Sequence, residues 1–237
     1  MFPYDATLLA IAQSQPQSIA GVLEVLRAID AACADDDGLK WFNWLYLQVT
    51  EAVEARVASG SFAEGAWLAE LDVRFASLYF GALAGSLSGG AAPGCWRALF
   101  RLRGERSIAR IQFALAGINA HINHDLALAI DATCRATGTV PVHGSRQYAD
   151  YTAVNSTLNG LIEAAKQTLG VRLAGDALPP VNHLEDMFAA WSVQAARESA
   201  WTNAELLWGM PAGPLVDMID GLTTVAGKAL LVPVPMA

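Results

Sequence analysis

Charge is scarce in this chain. Only 16% of its 237 residues are Asp, Glu, Lys or Arg, while 54% are hydrophobic; roughly a quarter charged is usual. The shortage calls for a large core or a covered surface, and a homodimer would account for it. Basic residues are the scarcer sign, with a net charge of −8 at pH 7 and no basic stripe. That balance argues against a nucleic-acid partner. The most basic stretch, 97–110, suits a solvated helix or loop.

Other absences narrow the field further. No apolar run reaches the roughly 18 residues of a membrane span. The N-terminus lacks a basic region followed by an apolar segment, so no secretion signal is expected. Cys33, Cys95 and Cys134 are odd in number and stand at no metal-ligand spacing, which reads as reduced thiols in a cytoplasmic protein. The chain has no GxGxxG, Walker or GxSxG motif, so no organic cofactor is expected. No segment alternates polar and apolar residues over a strand length. The fold expected is all-α: one domain over 1–237, a bundle of roughly seven or eight helices around a buried central helix at about 106–133.

Helical periodicity places the elements. A helix over 14–33 is followed by Asp35-Asp36-Asp37, able to cap a second over 38–58. That helix sets Trp41, Trp44, Leu45, Gln48 and Ala52 on one face. A third, over 62–83, aligns Leu68, Asp72, Phe75, Ala76, Tyr79 and Leu83, with Glu70, Arg74 and Ser77 opposite. Asp72 therefore sits in an apolar row, where a lone ionised carboxylate is costly and demands a partner, a metal or a proton. A short helix is expected at 96–102, and a long one at 146–169 carries Tyr151 and Asn155 in one sector. A helix opened by Asn182 and Glu185 runs to Trp208 with Trp191 on its apolar face, and a last one covers 213–231. The stretch 138–145 reads as an ordinary connector rather than a lid, and Arg197 as an exposed helix charge.

The central stretch, RIQFALAGINAHINHDLALAIDA over 110–132, is apolar on nearly every side yet holds Gln112, Asn119, His121, Asn123, His124 and Asp125. A helix apolar all round is buried, and buried polar groups need partners. At ideal helical pitch His121, His124 and Asp125 share one sector about 100° wide. Asn119 and Asn123 fall on the far side and suit structural hydrogen bonds. If the 62–83 helix crosses that sector, Asp72 and Tyr79 reach the same place.

Three chemistries compete. The groups can form a satisfied polar network that fixes helix register. They can form an acid/base site, because a histidine beside a buried carboxylate has its tautomer fixed and moves protons near neutral pH. They can also bind a divalent metal, iron or zinc, through His121, His124, Asp125 and Asp72, although neither a di-iron Glu-x-x-His pair nor an HExxH zinc motif is present. The leading expectation is an enzyme without cofactor that cyclises, isomerises, eliminates or hydrolyses a small apolar organic substrate. Its catalytic candidates are Asp72, His121, His124, Asp125, Tyr79 and Tyr151. Its pocket candidates are Trp41, Trp44, Gln48, Phe75, Asn155 and Trp191. A non-enzymatic ligand-binding or interaction protein is the third class.

The segments LDVRFASLYF (71–80), ARIQFALAGINAHINHDLALA (109–129), ADYTAVN (149–155) and AARESAWTNAELLW (195–208) resemble a mainly actinobacterial helical family known as a domain of unknown function. The resemblance covers most of the chain, and INAHINHDL is its most specific part. It implies a bacterial, soluble helical domain in which Asp72, His121, Asp125, Tyr151 and Asn155 matter. It carries no reaction or cofactor.

Overall fold

A computed structural model describes residues 2–172 and 192–233, with side chains omitted at 159 and 162–172. Every regular element among the described residues is helical. In chain order these are α1 (Asp5–Ala12), α2 (Ile19–Ala32), α3 (Gly38–Ala58), α4 (Gly65–Leu87) and α5 (Gly94–Leu102). Next come α6 (Arg110–Ala120), a π turn (His121–Asp125) and α7 (Leu126–Thr137), then α8 (Arg146–Arg172), α9 (Val193–Gly209) and α10 (Ala212–Leu230). The helix expected from Asn182 has its start outside the described residues; its described part begins at Val193, capped by the Ser192 hydroxyl.

The bounds follow local chemistry. Ser18 caps α2 by accepting from Gly21 N at 3.1 Å, so 14–17 stay outside the helix that periodicity extended to residue 14. Of the three consecutive aspartates, Asp37 caps α3, accepting from Leu39 N at 2.9 Å. The Asp37 carboxylate is fully buried and also meets Arg103 at 2.8 Å and the Tyr4 hydroxyl at 3.1 Å. Arg103 is the buried exception in the arginine-rich stretch, and it ties α1 in through Asp5 at 2.6 Å. Helix α1 lies beyond the expected set; DATLLAIA is apolar on all faces, so periodicity carries no signal there.

α6, the π turn and α7 form one continuous rod over 110–137, closed by Gly138 in the left-handed conformation at φ 68°. Helices α3 and α10 pack along α6, while α4 and α9 pack along α7. Two apolar clusters flank the rod. The first gathers α1, α2, α5 and parts of α3 and α4, and its last rod residue is Ala120. The second gathers α8, α9 and the beginning of α4, and starts on the rod at Leu126. The polar turn His121–Asp125 occupies the junction between them.

The amides of the rod act as expected for structural groups. Asn119 donates to Thr223 O on α10 at 2.9 Å, and Asn123 donates to Asn119 Oδ1 at 3.0 Å. Gln112 accepts from Ala109 N at 3.0 Å and donates to Leu230 O and Val232 O at 2.8 Å each, fastening the end of α10 to the start of the rod. None of the described helices is long and apolar enough to cross a membrane.

Close approach of α3 to the rod depends on Gly117, where an added Cβ would lie inside the Phe42 ring. Gly117→Ala should therefore destabilise the protein by about 1–3 kcal/mol, the usual range for overpacking a core. Gly81, in the middle of α4 with open space around its Cα, serves as the control: Gly81→Ala should stabilise by roughly 0.5–1 kcal/mol. Denaturant unfolding of the two variants measures both signs.

Candidate active site

The site is organised by the Asp125 carboxylate, which is 1% exposed and receives three hydrogen bonds. Trp96 Nε1 on α5 donates to Oδ2 at 2.9 Å, and His121 Nδ1 meets the same oxygen at 3.1 Å. His124 Nδ1 meets Oδ1 at 2.7 Å. Neighbouring residues do not face each other on an ordinary α-helix. The π turn, which closes i→i+5 bonds, changes the register and lets both histidines reach one carboxylate.

Burial alone would raise the Asp125 pKa, but the hydrogen bonds from His121 and His124 outweigh it and hold the carboxyl below its usual range. An ionised carboxylate has no proton to give, so each histidine presents Nδ1–H to it. In the neutral ring of His121 the other nitrogen, Nε2, is then a lone-pair acceptor. Burial lowers the His121 pKa more than Asp125 raises it, so the neutral imidazole is the resting form.

Aromatic rings enclose His121. Phe75 lies flat on the imidazole with centroids 3.4 Å apart and planes 8° apart. Tyr46 stands edge-on at 4.5 Å, Phe42 at 5.6 Å and Tyr79 at 6.2 Å, with Trp96 tilted at 6.0 Å. His121 Nε2 within this enclosure and Asp72 Oδ2 on α4 are both buried and have no hydrogen-bond partner among the described residues. Asp72 and Phe75 are three apart on α4, hence neighbours on its surface. Both the Asp72 and the Asp125 carboxyls act on the Tyr46 hydroxyl. Burial pushes the Asp72 pKa up to about 7 and the Tyr46 and Tyr79 hydroxyls well above their usual value.

The sequence candidates divide between this centre and other places. His121, His124 and Asp125 meet as expected. Asp72, Phe75 and Tyr79 come from the α4 face expected to join them, although Asp72 hydrogen-bonds neither histidine; Tyr79 donates to Asn43 Oδ1 at 3.4 Å. Phe42, Tyr46 and Trp96 were not anticipated. The run WFNWLYL in α3 is apolar all round, so periodicity could not tell which face turns inward. Trp41, Trp44 and Gln48 instead line an open groove of about 510 Å³ together with Lys40 and Arg110.

Tyr151 and Asn155 lie in another polar knot. Arg197 is 7% exposed, so the expectation of a solvated charge fails. Its Nε donates to Asn155 Oδ1 at 2.7 Å, Nη2 to Tyr151 O at 2.8 Å, and its guanidinium covers the Tyr151 ring at 4.0 Å. The Tyr151 hydroxyl donates to Arg197 O at 2.6 Å. These groups staple α8 to α9. The 138–145 connector is held to α9 by His143, whose ring nitrogens meet Glu205 at 2.6 Å and Glu198 at 2.8 Å. Trp191 lies outside the described residues.

Asp72 supplies a pH test. With its folded pKa raised to about 7 and an unfolded value near 3.9, the folded state holds a proton between those limits that the unfolded state releases. Stability should therefore fall as pH rises from about 4 to 7, by up to roughly 1.4 kcal/mol per pH unit. Asp72→Asn removes this loss, so its advantage over the natural protein should grow with pH across that window. Denaturant midpoints measured from pH 4 to 8 check it, and a constant difference would contradict it.

No curated protein and no solved structure matches the chain. A family model does match, over residues 19–233, covering α2 through α10 with the His121–Asp125 turn inside. The chain therefore belongs to DUF5995, a family of unknown function.

Proposed function

We propose that this protein is an enzyme that moves a proton on a small, largely apolar organic substrate, with His121 as base, Asp72 as acid and Tyr46 as a hydrogen-bond donor. The observation that carries the reading is a buried His121 Nε2 without a partner inside an aromatic enclosure, with an equally partnerless Asp72 Oδ2 on α4, the helix that packs on the turn and supplies Phe75. Buried polar groups are almost always paired. Orphans on a histidine and on a carboxyl of two packed elements fit groups kept for a ligand better than they fit a satisfied structural network.

The protonation states support this assignment. Near neutral pH, His121 is neutral with its lone pair at Nε2, while a large share of Asp72 still carries its proton. Environments that push two titratable groups apart in this way define an acid and a base. In an isomerisation, Nε2 would take a proton from carbon or oxygen while Asp72 delivers one elsewhere, with no net change in oxidation state. Cyclisation, elimination and hydrolysis make the same demand. The imidazolium formed at His121 is stabilised by the Asp125 carboxylate on Nδ1. Phe75 covers the face of the imidazole, leaving the Nε2 edge for the substrate.

The test uses deuterium as a reporter. The protein is incubated in heavy water with a fractionated bacterial metabolite extract, and mass spectrometry follows exchange or rearrangement of each compound. Wild-type protein should label or convert one compound class. His121→Ala and Asp72→Asn, each shown to be folded, should slow that change by about 10²–10⁴-fold, the usual contribution of a positioned acid or base. Equal rates in both variants would sink the assignment. A compound retained without exchange or conversion would instead mark a binding protein.

A further inference from the structure

A second constellation lies on the far side of Asp125, where α5, the π turn and α10 converge. Cys95 Sγ, a ring nitrogen of His124 and a carboxylate oxygen of Asp220 lie within 4.8 Å of one another. Cys95 is 1% and His124 4% exposed. We propose that Cys95, His124 and Asp220 bind a divalent transition metal of the zinc class, with Asp125 orienting His124 from behind. This goes beyond proton transfer at His121 and does not depend on it.

Four features support a built site. The donors are a thiol, an imidazole and a carboxylate, the set that borderline-soft cations such as zinc and ferrous iron prefer. The His124 Nδ1–Asp125 bond of 2.7 Å holds the imidazole in position, the carboxylate–histidine arrangement found behind metal ligands. The Asp220 carboxylate is aimed by two backbone amides, accepting from Gly94 N at Oδ2 and Cys95 N at Oδ1, each at 2.9 Å. Each oxygen keeps a lone pair for a cation. Finally, the Thr224 hydroxyl is buried and without a partner among the described residues. It lies beside the same carboxylate: a Cβ on residue 94 would stand 2.7 Å from Thr224 Oγ1 and 2.8 Å from Asp220 Oδ2, so only glycine leaves this space open.

The spacing is close to that of a metal centre. Ligands about 2.0–2.3 Å from a tetrahedral zinc ion lie roughly 3.3–3.8 Å apart, so the donors need to draw in by about 1.5 Å at most. Three protein ligands leave a fourth position for water or another small ligand. On binding, the Cys95 thiol gives its proton to solvent and the thiolate pairs with the cation, so affinity should fall as pH is lowered.

Cobalt(II) is the probe, because its thiolate complexes absorb in the near ultraviolet and its tetrahedral complexes absorb in the visible. Full-length protein without a histidine tag is stripped with chelator and titrated with Co²⁺ and then Zn²⁺. One equivalent of Co²⁺ should bind at micromolar concentration and produce both absorptions, and Zn²⁺ should abolish them and raise the melting temperature. Cys95→Ser, folded by circular dichroism, should lose the near-ultraviolet band, and Asp220→Asn should weaken binding at least tenfold. Cys33→Ser should change nothing. The proposal is overturned if the natural protein binds no stoichiometric Co²⁺, if it binds without a thiolate band, or if that band survives Cys95→Ser.

Discussion

The Asp125 carboxylate and its three hydrogen-bond donors are the interaction on which the centre of this protein depends. Placing a carboxylate in a protein interior costs several kcal/mol unless it is paired and hydrogen-bonded. Here Trp96, His121 and His124 supply the compensation from two elements. The contacts from His121 and His124 come from a π turn of the rod, and α5 presents the Trp96 indole to the same carboxylate. The carboxylate thus specifies a register between α5 and the rod that apolar packing alone would leave loose.

The same carboxylate sets the chemistry on both sides. It meets Nδ1 of each histidine, so the two rings turn their far edges to different surroundings. The His121 nitrogen is buried without a partner and enclosed by aromatic rings, Tyr46 and Phe75 among them. The His124 ring stands near a thiol and a second carboxylate. One buried charge thereby supports two polar centres at the junction of two apolar clusters. The proposed base and the proposed metal ligand are three residues apart yet differ in their neighbours.

Much of this plan was legible in the sequence. Six polar groups in an otherwise apolar helix marked the rod as the centre, and helical spacing separated Asn119 and Asn123 from the histidines and aspartate. The period-based face of α4 likewise brought Asp72, Phe75 and Tyr79 inward. The π turn was not legible, because it arises from what the side chains of His124 and Asp125 reach for rather than from periodicity. Tyr46 and Phe42 were hidden by the uniform apolarity of α3, whose Trp41 and Trp44 pack elsewhere, along the start of the rod. Cys95 and Asp220 were invisible as partners because they are joined through tertiary packing across 125 positions, a separation at which no spacing rule operates. Arg197 was misread because burial of a guanidinium depends on the carbonyl and amide that receive it, Tyr151 O and Asn155 Oδ1.

The central claim is that His121 rests neutral, protonated at Nδ1, with a free lone pair at Nε2. Nitrogen-15 NMR of histidine-labelled protein reads this directly, since protonated and unprotonated ring nitrogens resonate far apart. The His121 signals at pH 7 should show a protonated Nδ1 and an unprotonated Nε2, and should hold this form below pH 6.5, where an ordinary histidine takes up its second proton. A His121 that is cationic at pH 7, or that carries its single proton on Nε2, would contradict it.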